Sequence, residues 1–230
     1  MTAYTQEIGK AGKPVDRARG LWKHTTVRRH VHSVLSEALA GMAPGIERCM
    51  YCGDNQGTDI DHFEPLSRAP LRTFDWNNHL LACSLCNSHQ KREAFPLDLR
   101  GRPLLIDPSS EDPADHLHLV LAVGEYLPLT PRGEATCEVF GLNRGVLVRG
   151  RRKVYRITRL CIEEWLRAHE EGDAEGVREW TSTVWEQPTA DVVYAMFHQA
   201  MAPGAEDVFA NDPGVLRLLT DERVRAGLLS

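Results

Sequence analysis

The sequence predicts an α+β fold: a small centre of short strands and a helix held by a zinc clip, with a helix before it and a mostly helical region after it. Three observations lead to this prediction. Two Cys-x-x-Cys pairs bracket the centre, short apolar runs of strand length lie between and after them, and apolar residues recur at helical spacing on both sides.

The composition is that of a soluble globular protein of one or two domains, with 230 residues, 42% hydrophobic and 26% charged. The chain has no run of about 18 apolar residues, so we expect no membrane span. Its polar start lacks the apolar segment of a secretory signal. We expect four regions: an N-terminal arm and helix (1–48), a metal-stapled core (49–100), a strand hairpin with basic helices (101–170) and an acidic helical tail (171–230).

The paired cysteines predict a structural zinc site. Each Cys-x-x-Cys turn presents two thiolates on one side of a tight loop, and two such turns complete a tetrahedral Zn²⁺ site. The four ligands are Cys49, Cys52, Cys83 and Cys86. Four unrelated thiols are the alternative, which the paired spacing disfavours. The two remaining cysteines, Cys137 and Cys161, suit a reducing cytoplasm better than a disulfide framework.

Hard oxygen donors and a histidine lie within the bracketed stretch. Asp61 and Asn87 suit Mg²⁺ or Mn²⁺ rather than the thiolate site. His62 is a candidate general base, since the reference pKa of histidine is about 6.5. Neighbours on a strand point to opposite faces. Asp61 and His62 must therefore flank a reacting phosphate from different directions, or lie where the strand ends.

These residues carry a resemblance to the HNH endonucleases in their zinc-stapled form. It rests on Asp61-His62, on Asn78 five residues before Cys83 and on Cys86-Asn87, and covers about forty-three residues, 49–91. The resemblance implies a ββα core around a metal, with His62 as the general base. Asp61 and Asn87 would hold the single catalytic Mg²⁺, and Asn78 would hold the loop and orient the histidine.

One position departs from the family pattern. The third motif position is often His and is Asn87 here, but an amide oxygen still suits a hard cation. His89 is a rival for this role. It lies two residues further along the helix, about 200° around the axis, so the two side chains are not expected to face one metal.

A wider resemblance extends to Arg159. The runs IDHFEPLSR, FDWNNHLLACSLCN, LLIDPSSEDPADHLHL and FGLNR resemble the nuclease subunits of Septu-type phage-defence systems. Such subunits work beside an ATPase subunit, so the resemblance implies an ATPase partner and an antiviral role. Relatives often carry a basic residue where this chain has Leu66, so we expect one phosphate contact fewer here.

Positive charge is concentrated in two stretches that predict contacts with DNA. The first 48 residues hold eight Lys or Arg against four acids, and seven cations lie between Arg144 and Arg159 without an acid. Residues 171–230 instead carry eleven acids against four arginines, so internal pairing of the basic helix is the alternative. The candidate nucleic-acid contacts are Arg68, Lys91, Arg151, Arg152 and Lys153.

The apolar pattern, the caps and the turns also predict individual elements. Residues 1–20 are expected to form a loose arm. The predicted elements, in chain order, are a helix from Thr25 or Thr26 to Ala40, a strand 59–63, a helix from Cys86 to about Ala94, a strand 104–106, a hairpin 117–121/126–129, a helix 130–141, a basic helix over 144–159 and packed helices in the tail.

Two classes of function fit these patterns. The first is a metal-dependent phosphodiesterase acting on DNA. The second is a non-catalytic zinc module that binds nucleic acid or a protein partner. A binding module needs the four cysteines but not Asp61-His62 with Asn87 beside them, so the sequence favours the nuclease. A groove-reading transcription regulator lacks a recognition helix rich in Arg, Asn and Gln.

Overall fold

The computed structural model describes residues 3–43 and 45–229 and confirms the α+β class. The chain forms two compact units. The first contains the chain up to Leu117 together with Pro128–Leu142, and the second contains His118–Leu127 and the chain from Asn143 onwards. Among the described residues, the longest apolar helical stretch falls short of what a bilayer crossing requires.

The N-terminal arm expected to be loose is helical instead. Helix α1 covers Ala3–Gly9 and helix α2 covers Pro14–Lys23, with Pro14 in the first turn. The polar composition hid a small apolar cluster, in which Ile8, Ala18 and Leu21 are buried and Tyr4 and Phe74 pack against them. Burial of these few side chains stabilises a helix pair that propensity alone does not predict.

The predicted helix at Thr25 is present and runs to residue 42. It consists of α3 (Thr25–Val27), a π-helical segment (Arg28–His32) and α4 (Ser33–Met42). Between α2 and α3, His24 is extended, with φ −64° and ψ 137°, and its Nδ1 accepts a hydrogen bond from the Thr26 N–H. A single non-helical residue therefore separates α2 from the next helix.

The centre of the first unit is the ββα arrangement that the resemblance implied. Strand β1 (Gly57–His62) pairs antiparallel with β2 (His79–Cys83), and a π-helical segment, Leu85–Lys91, follows. This segment ends earlier than the predicted Ala94, because Arg92 adopts a φ of 50°. Gly57 is required where β1 begins, since a Cβ there would lie 2.7 Å from the Glu47 carbonyl oxygen.

The remainder of the first unit is mostly loop around one helix. Short 3-10 turns cover Pro70–Arg72, Trp76–Asn78 and Pro113–Asp115, and helix α5 covers Pro131–Phe140. The expected strand at 104–106 is wrong. The Ile106 N–H donates to the Thr136 hydroxyl rather than to a neighbouring strand, so the buried run is irregular.

The second unit has a helical core. A hairpin of β3 (Leu117–Val120) and β4 (Glu125–Pro128) precedes α6 (Gly145–Glu171), as predicted. The tail then forms α7 (Ala174–Trp185), α8 (Asp191–Ala200), α9 (Ala205–Val208), α10 (Pro213–Thr220) and α11 (Glu222–Leu228). Its apolar cluster includes Trp165, Val193 and Met196, each almost fully buried, so the acidic tail packs as expected.

Candidate functional site

The four cysteines of the two Cys-x-x-Cys pairs meet in one buried cluster. Their Sγ atoms all lie within 4.8 Å of one another. The Sγ atoms of Cys52 and Cys83 are 3.8 Å apart, far beyond a disulfide bond. Four thiolates placed tetrahedrally at ~2.3 Å from Zn²⁺ lie about 3.8 Å apart, so the spacing fits a closed zinc site.

The electrostatics of the cluster also favour a bound cation. A hydrogen bond from Cys49 lowers the pKa of Cys52 to about 7, and contacts with Cys49 and Cys52 lower the pKa of Cys83. Both Cys49 and Cys86 have raised pKa values because the neighbouring thiols hold them protonated. Deprotonating all four thiols in this buried space requires positive charge, which Zn²⁺ supplies.

Asp61 lies on one face of β1, in a buried polar network. Its carboxylate accepts a hydrogen bond from the Tyr51 hydroxyl at 2.6 Å and pairs with Lys91 Nζ at 2.9 Å. Lys91 also donates to the His62 carbonyl oxygen at 2.7 Å. Burial raises the pKa of Asp61, while Lys91 and Tyr51 act to lower it. The predicted metal ligand is thus held by a cation from its own chain.

His62 is the last residue of β1 and lies on the opposite face. Its Nε2 is 3.0 Å from the Thr73 carbonyl oxygen, which can only accept, so Nε2 carries the proton and Nδ1 keeps its lone pair. Burial, with the His79 imidazole beside it, lowers the pKa of His62 to about 3. The imidazole is therefore neutral at neutral pH, in one tautomer.

The Thr73 carbonyl serves a second histidine as well. His79 Nε2 is also 3.0 Å from this oxygen, and the two imidazole centroids are 5.0 Å apart. Burial lowers the pKa of His79. The Trp22 ring is nearly perpendicular to that of His62, with 4.4 Å between centroids, and it stacks on His79 at 5.4 Å. Sequence reasoning missed Thr73, His79 and Trp22. Thr73 acts through its backbone carbonyl, which leaves no mark on sequence, and the ring contacts of His79 and Trp22 depend on tertiary distances.

Asn78 is fully buried and bonds to the loop that presents Thr73. Its Oδ1 accepts from the Glu64 N–H at 2.8 Å, and its Nδ2 donates to the carbonyl oxygens of Glu64 and Arg72. Because Arg72 precedes Thr73, these bonds hold the loop whose carbonyl orients His62. The arrangement supports the loop-holding role that the resemblance implied for Asn78.

Asn87 lies above the Asp61 face of the hairpin. Its Nδ2 donates to Asp59 Oδ2 at 3.1 Å. Asp59 and Asp61 are two residues apart on β1 and so share a face. Asp59 is therefore an additional oxygen donor that the sequence prediction missed, although its alternation with Asp61 was a readable signal. His89 is exposed and bonds to the Ser84 carbonyl oxygen through Nδ1, away from this group.

The five candidate nucleic-acid contacts separate into two groups. Lys91 and Arg151 are buried and ion-paired, Lys91 with Asp61 and Arg151 with Asp191, so both assignments to a phosphate-binding surface are wrong. The other three have exposed side chains, namely Arg68, Arg152 and Lys153. A buried guanidinium or ammonium needs a fixed carboxylate partner, and here that partner is 30 or more residues away in sequence.

Comparison with known proteins agrees with the geometry of this centre. The sequence profile of the HNH endonuclease family matches residues 49–93, which span both cysteine pairs and the Asp61-His62 pair. Septu protein PtuB of Bacillus mycoides (strain KBAB4) is 25% identical over 137 residues, 46% of this chain and 46% of that protein. The chain therefore spans about half the length of this relative, and it contains an HNH endonuclease domain at 49–93.

Proposed function

We propose that the protein is a metal-dependent endonuclease that hydrolyses phosphodiester bonds in DNA. The observation that carries this proposal is the placement of Asp61 and His62 at the end of β1, inside the segment that matches the HNH family. A carboxylate can hold a divalent metal ion and a neutral imidazole can accept a proton from water, which are two of the roles in metal-assisted hydrolysis.

In the proposed mechanism His62 is the general base. Nδ1 carries the lone pair, because Nε2–H donates to Thr73. It accepts a proton from a water molecule as the water oxygen forms a bond to phosphorus. The bond from phosphorus to the 3′ oxygen breaks in line, and this oxygen takes up a proton. The products are a 5′-phosphate and a 3′-hydroxyl.

Two kinds of metal ion have separate roles in this proposal. The cysteine cluster would hold Zn²⁺ as a structural ion. Asp61 and Asn87, with Asp59 beside Asn87, would hold Mg²⁺ or Mn²⁺, which when bound supplies positive charge at the scissile phosphate. Since both oxygens of Asp61 contact Lys91, the carboxylate has to loosen that ion pair to bind an ion.

The exposed cations are proposed to bind the DNA backbone. On α6 these are Arg152 and Lys153, with Arg149 and Arg156 also exposed. Arg68, four residues from Glu64, pairs with it at 3.2 Å but keeps 45% of its side chain exposed. Surface ion pairs of this kind contribute little to stability, so the Arg68 side chain can exchange Glu64 for a DNA phosphate.

The biological setting proposed is bacterial defence against phage. The support is the match to the Septu protein PtuB over 46% of the chain. We propose the cytoplasm as the location and an ATPase subunit as the partner.

A non-catalytic zinc module that binds nucleic acid or a protein partner is the second candidate. One observation favours it: Asp61 is paired with Lys91 and His62 is only 7% exposed, so neither group is open to a substrate in this conformation.

Cleavage of supercoiled plasmid tests the two candidates. With Mg²⁺ the protein should nick or linearise the plasmid, and EDTA should stop it. His62→Ala should lower the rate by about 10²–10⁴-fold, since the general base is lost. His89→Ala is the matched control and should cleave normally, because His89 is exposed and its Nδ1 bonds to the Ser84 carbonyl oxygen, away from Asp61 and His62. Equal cleavage by His62→Ala and the parent would contradict the assignment.

A further inference from the structure

Trp22 of helix α2 covers the imidazole proposed as the general base. Its ring lies 4.4 Å from that of His62, nearly perpendicular to it, and 5.4 Å from that of His79, nearly parallel to it. Its centroid also lies 4.1 Å from that of the His32 ring. Trp22 belongs to the N-terminal helix pair, outside the segment that matches the HNH family. The cover is therefore an addition to the nuclease core.

Besides this ring, the helix pair contacts the rest of the first unit through the Pro70–Arg72 turn, through aromatic contacts with Phe74 and through a surface ion pair. Arg19 pairs with Glu93 at 3.0 Å, and both side chains are about half exposed. The small apolar cluster of the pair reaches the core loop through Phe74. A second ion pair, Arg17 with Glu7, lies within the helix pair and does not reach the core.

The connection between the helix pair and the rest of the chain is one residue long. His24 is the single extended residue between α2 and α3. Rotation about one non-helical residue moves α1 and α2 as a body and leaves the following helix in place. The exposed ion pair with Glu93 and the single extended residue at His24 allow the helix pair to act as a movable cap.

We propose that α1 and α2 form an autoinhibitory cap that closes over His62 through Trp22 and must swing away at His24 before DNA is cleaved. Water and a phosphate must both approach a general base within hydrogen-bonding distance. His62 is 7% exposed in the closed arrangement, so this approach requires the ring of Trp22 to leave. The inference rests on the proposed nuclease function, with His62 as its base.

Two variants of the full-length protein test the cap. Trp22→Ala removes the cover and should raise the initial rate of plasmid cleavage by about tenfold, because activity scales with the open fraction. Arg19→Ala breaks a surface contact with little risk to folding and should give a smaller increase. Arg17→Ala is the matched control, since its ion pair does not join the cap to the core, and should leave the rate unchanged.

A second measurement does not depend on cleavage. The rate at which diethyl pyrocarbonate modifies His62, followed by peptide mass spectrometry, should rise in Trp22→Ala and Arg19→Ala but not in Arg17→Ala. Faster modification with slower cleavage would overturn the proposal, because Trp22 would then position His62. Unchanged modification and cleavage in both test variants would overturn it too. A third outcome is possible, in which neither the parent nor any variant cleaves plasmid but His62 is modified faster in the two test variants. This outcome supports the cap and contradicts the nuclease function.

Discussion

Each of the two units contains a triad of a tyrosine, an aspartate and a buried cation. In the first unit the Tyr51 hydroxyl donates to Asp61 at 2.6 Å and Lys91 pairs with the same carboxylate at 2.9 Å. In the second unit Tyr126 donates to Asp191 at 2.7 Å, and Arg151 pairs with it at 2.9 Å. The chemistry and the distances are nearly the same.

The surroundings of the two triads differ. Tyr51 lies between two cysteines of the metal cluster, and Asp61 adjoins His62, so the first triad joins the zinc clip to the candidate catalytic strand. Arg151 instead donates to the Gly124 carbonyl oxygen and stacks over the Tyr126 ring at 4.5 Å, which joins α6 to the β3–β4 turn. The first triad holds reactive groups, and the second holds helices and a turn.

The comparison teaches that burial of a cation does not reveal its purpose. Lys91 and Arg151 both looked like phosphate contacts in the sequence, and both are internal. Only the first pairs with a carboxylate that we propose as a metal ligand. Removing equivalent groups from the two triads therefore distinguishes a functional ion pair from an architectural one.

The largest expected difference in stability between the regions around the two triads follows from loss of the zinc site. Cys86→Ser should release zinc and unfold the segment around the first triad, since structural zinc contributes about 10–16 kcal/mol of apparent binding free energy to folding. Hydrogen exchange should show lost protection in β1 and unchanged protection in α6. Cys137→Ser, outside the cluster, should keep zinc and protection. Retention of β1 protection in zinc-free Cys86→Ser would contradict the structural role of the metal.

A smaller difference is expected when the cations are removed one at a time. Lys91→Met leaves a carboxylate that is 5% exposed without its cation, which should lower the free energy of unfolding by about 3–5 kcal/mol. Arg151→Met leaves Asp191, whose side chain is 23% exposed and partly hydrated, so about 1–3 kcal/mol is expected. Denaturant unfolding measures both.

The control for this comparison removes the carboxylate charge. Adding Asp61→Asn to Lys91→Met should restore part of the lost stability, because no unpaired charge is then buried. If Lys91→Met and Arg151→Met are equally stable, the deeper burial of the Asp61 carboxylate has no effect on stability. The proposed difference between the two triads would then be wrong.

The smallest expected effect is on the salt dependence of DNA binding, when the exposed cations next to the second triad are removed. Changing Arg152 and Lys153 together to Ala should reduce the slope of log K against log salt by about two units, since each lost phosphate contact removes about 0.9. Arg151→Ala should lower the melting temperature but leave that slope unchanged, because its side chain is 1% exposed. A changed slope in Arg151→Ala would show that this side chain reaches DNA after all.

Much of the fold could be predicted because its signals are local. The Cys-x-x-Cys spacing places four thiols together, the strand predicted at 59–63 overlaps β1, and Thr130 and Gly141 mark the ends of α5. The N-terminal helix pair could not be predicted in this way. Its stability depends on Phe74, which lies more than fifty residues from Leu21 and meets it only in the folded chain.

Within the candidate site, the sequence predicted only those residues that act through their side chains and match the order and spacing of a family motif. Asp61, His62, Asn78 and Asn87 follow the family spacing. The first two end β1, Asn78 directly precedes β2, and Asn87 lies within the Leu85–Lys91 segment. The burial of Lys91 and the cover by Trp22 depend on tertiary distances. Neither has a pattern that a window of sequence contains.

The oxygen that fixes the tautomer of His62 belongs to a peptide group, which every amino acid at position 73 would supply. The path of the loop backbone therefore determines which nitrogen of His62 is protonated, and the identity of residue 73 does not. The Thr73 hydroxyl has a different task and donates to the Pro70 carbonyl oxygen. Related chains that keep the loop length and Asn78 can exchange residue 73 and still inherit the same protonated nitrogen, and their aligned sequences would show no trace of this constraint.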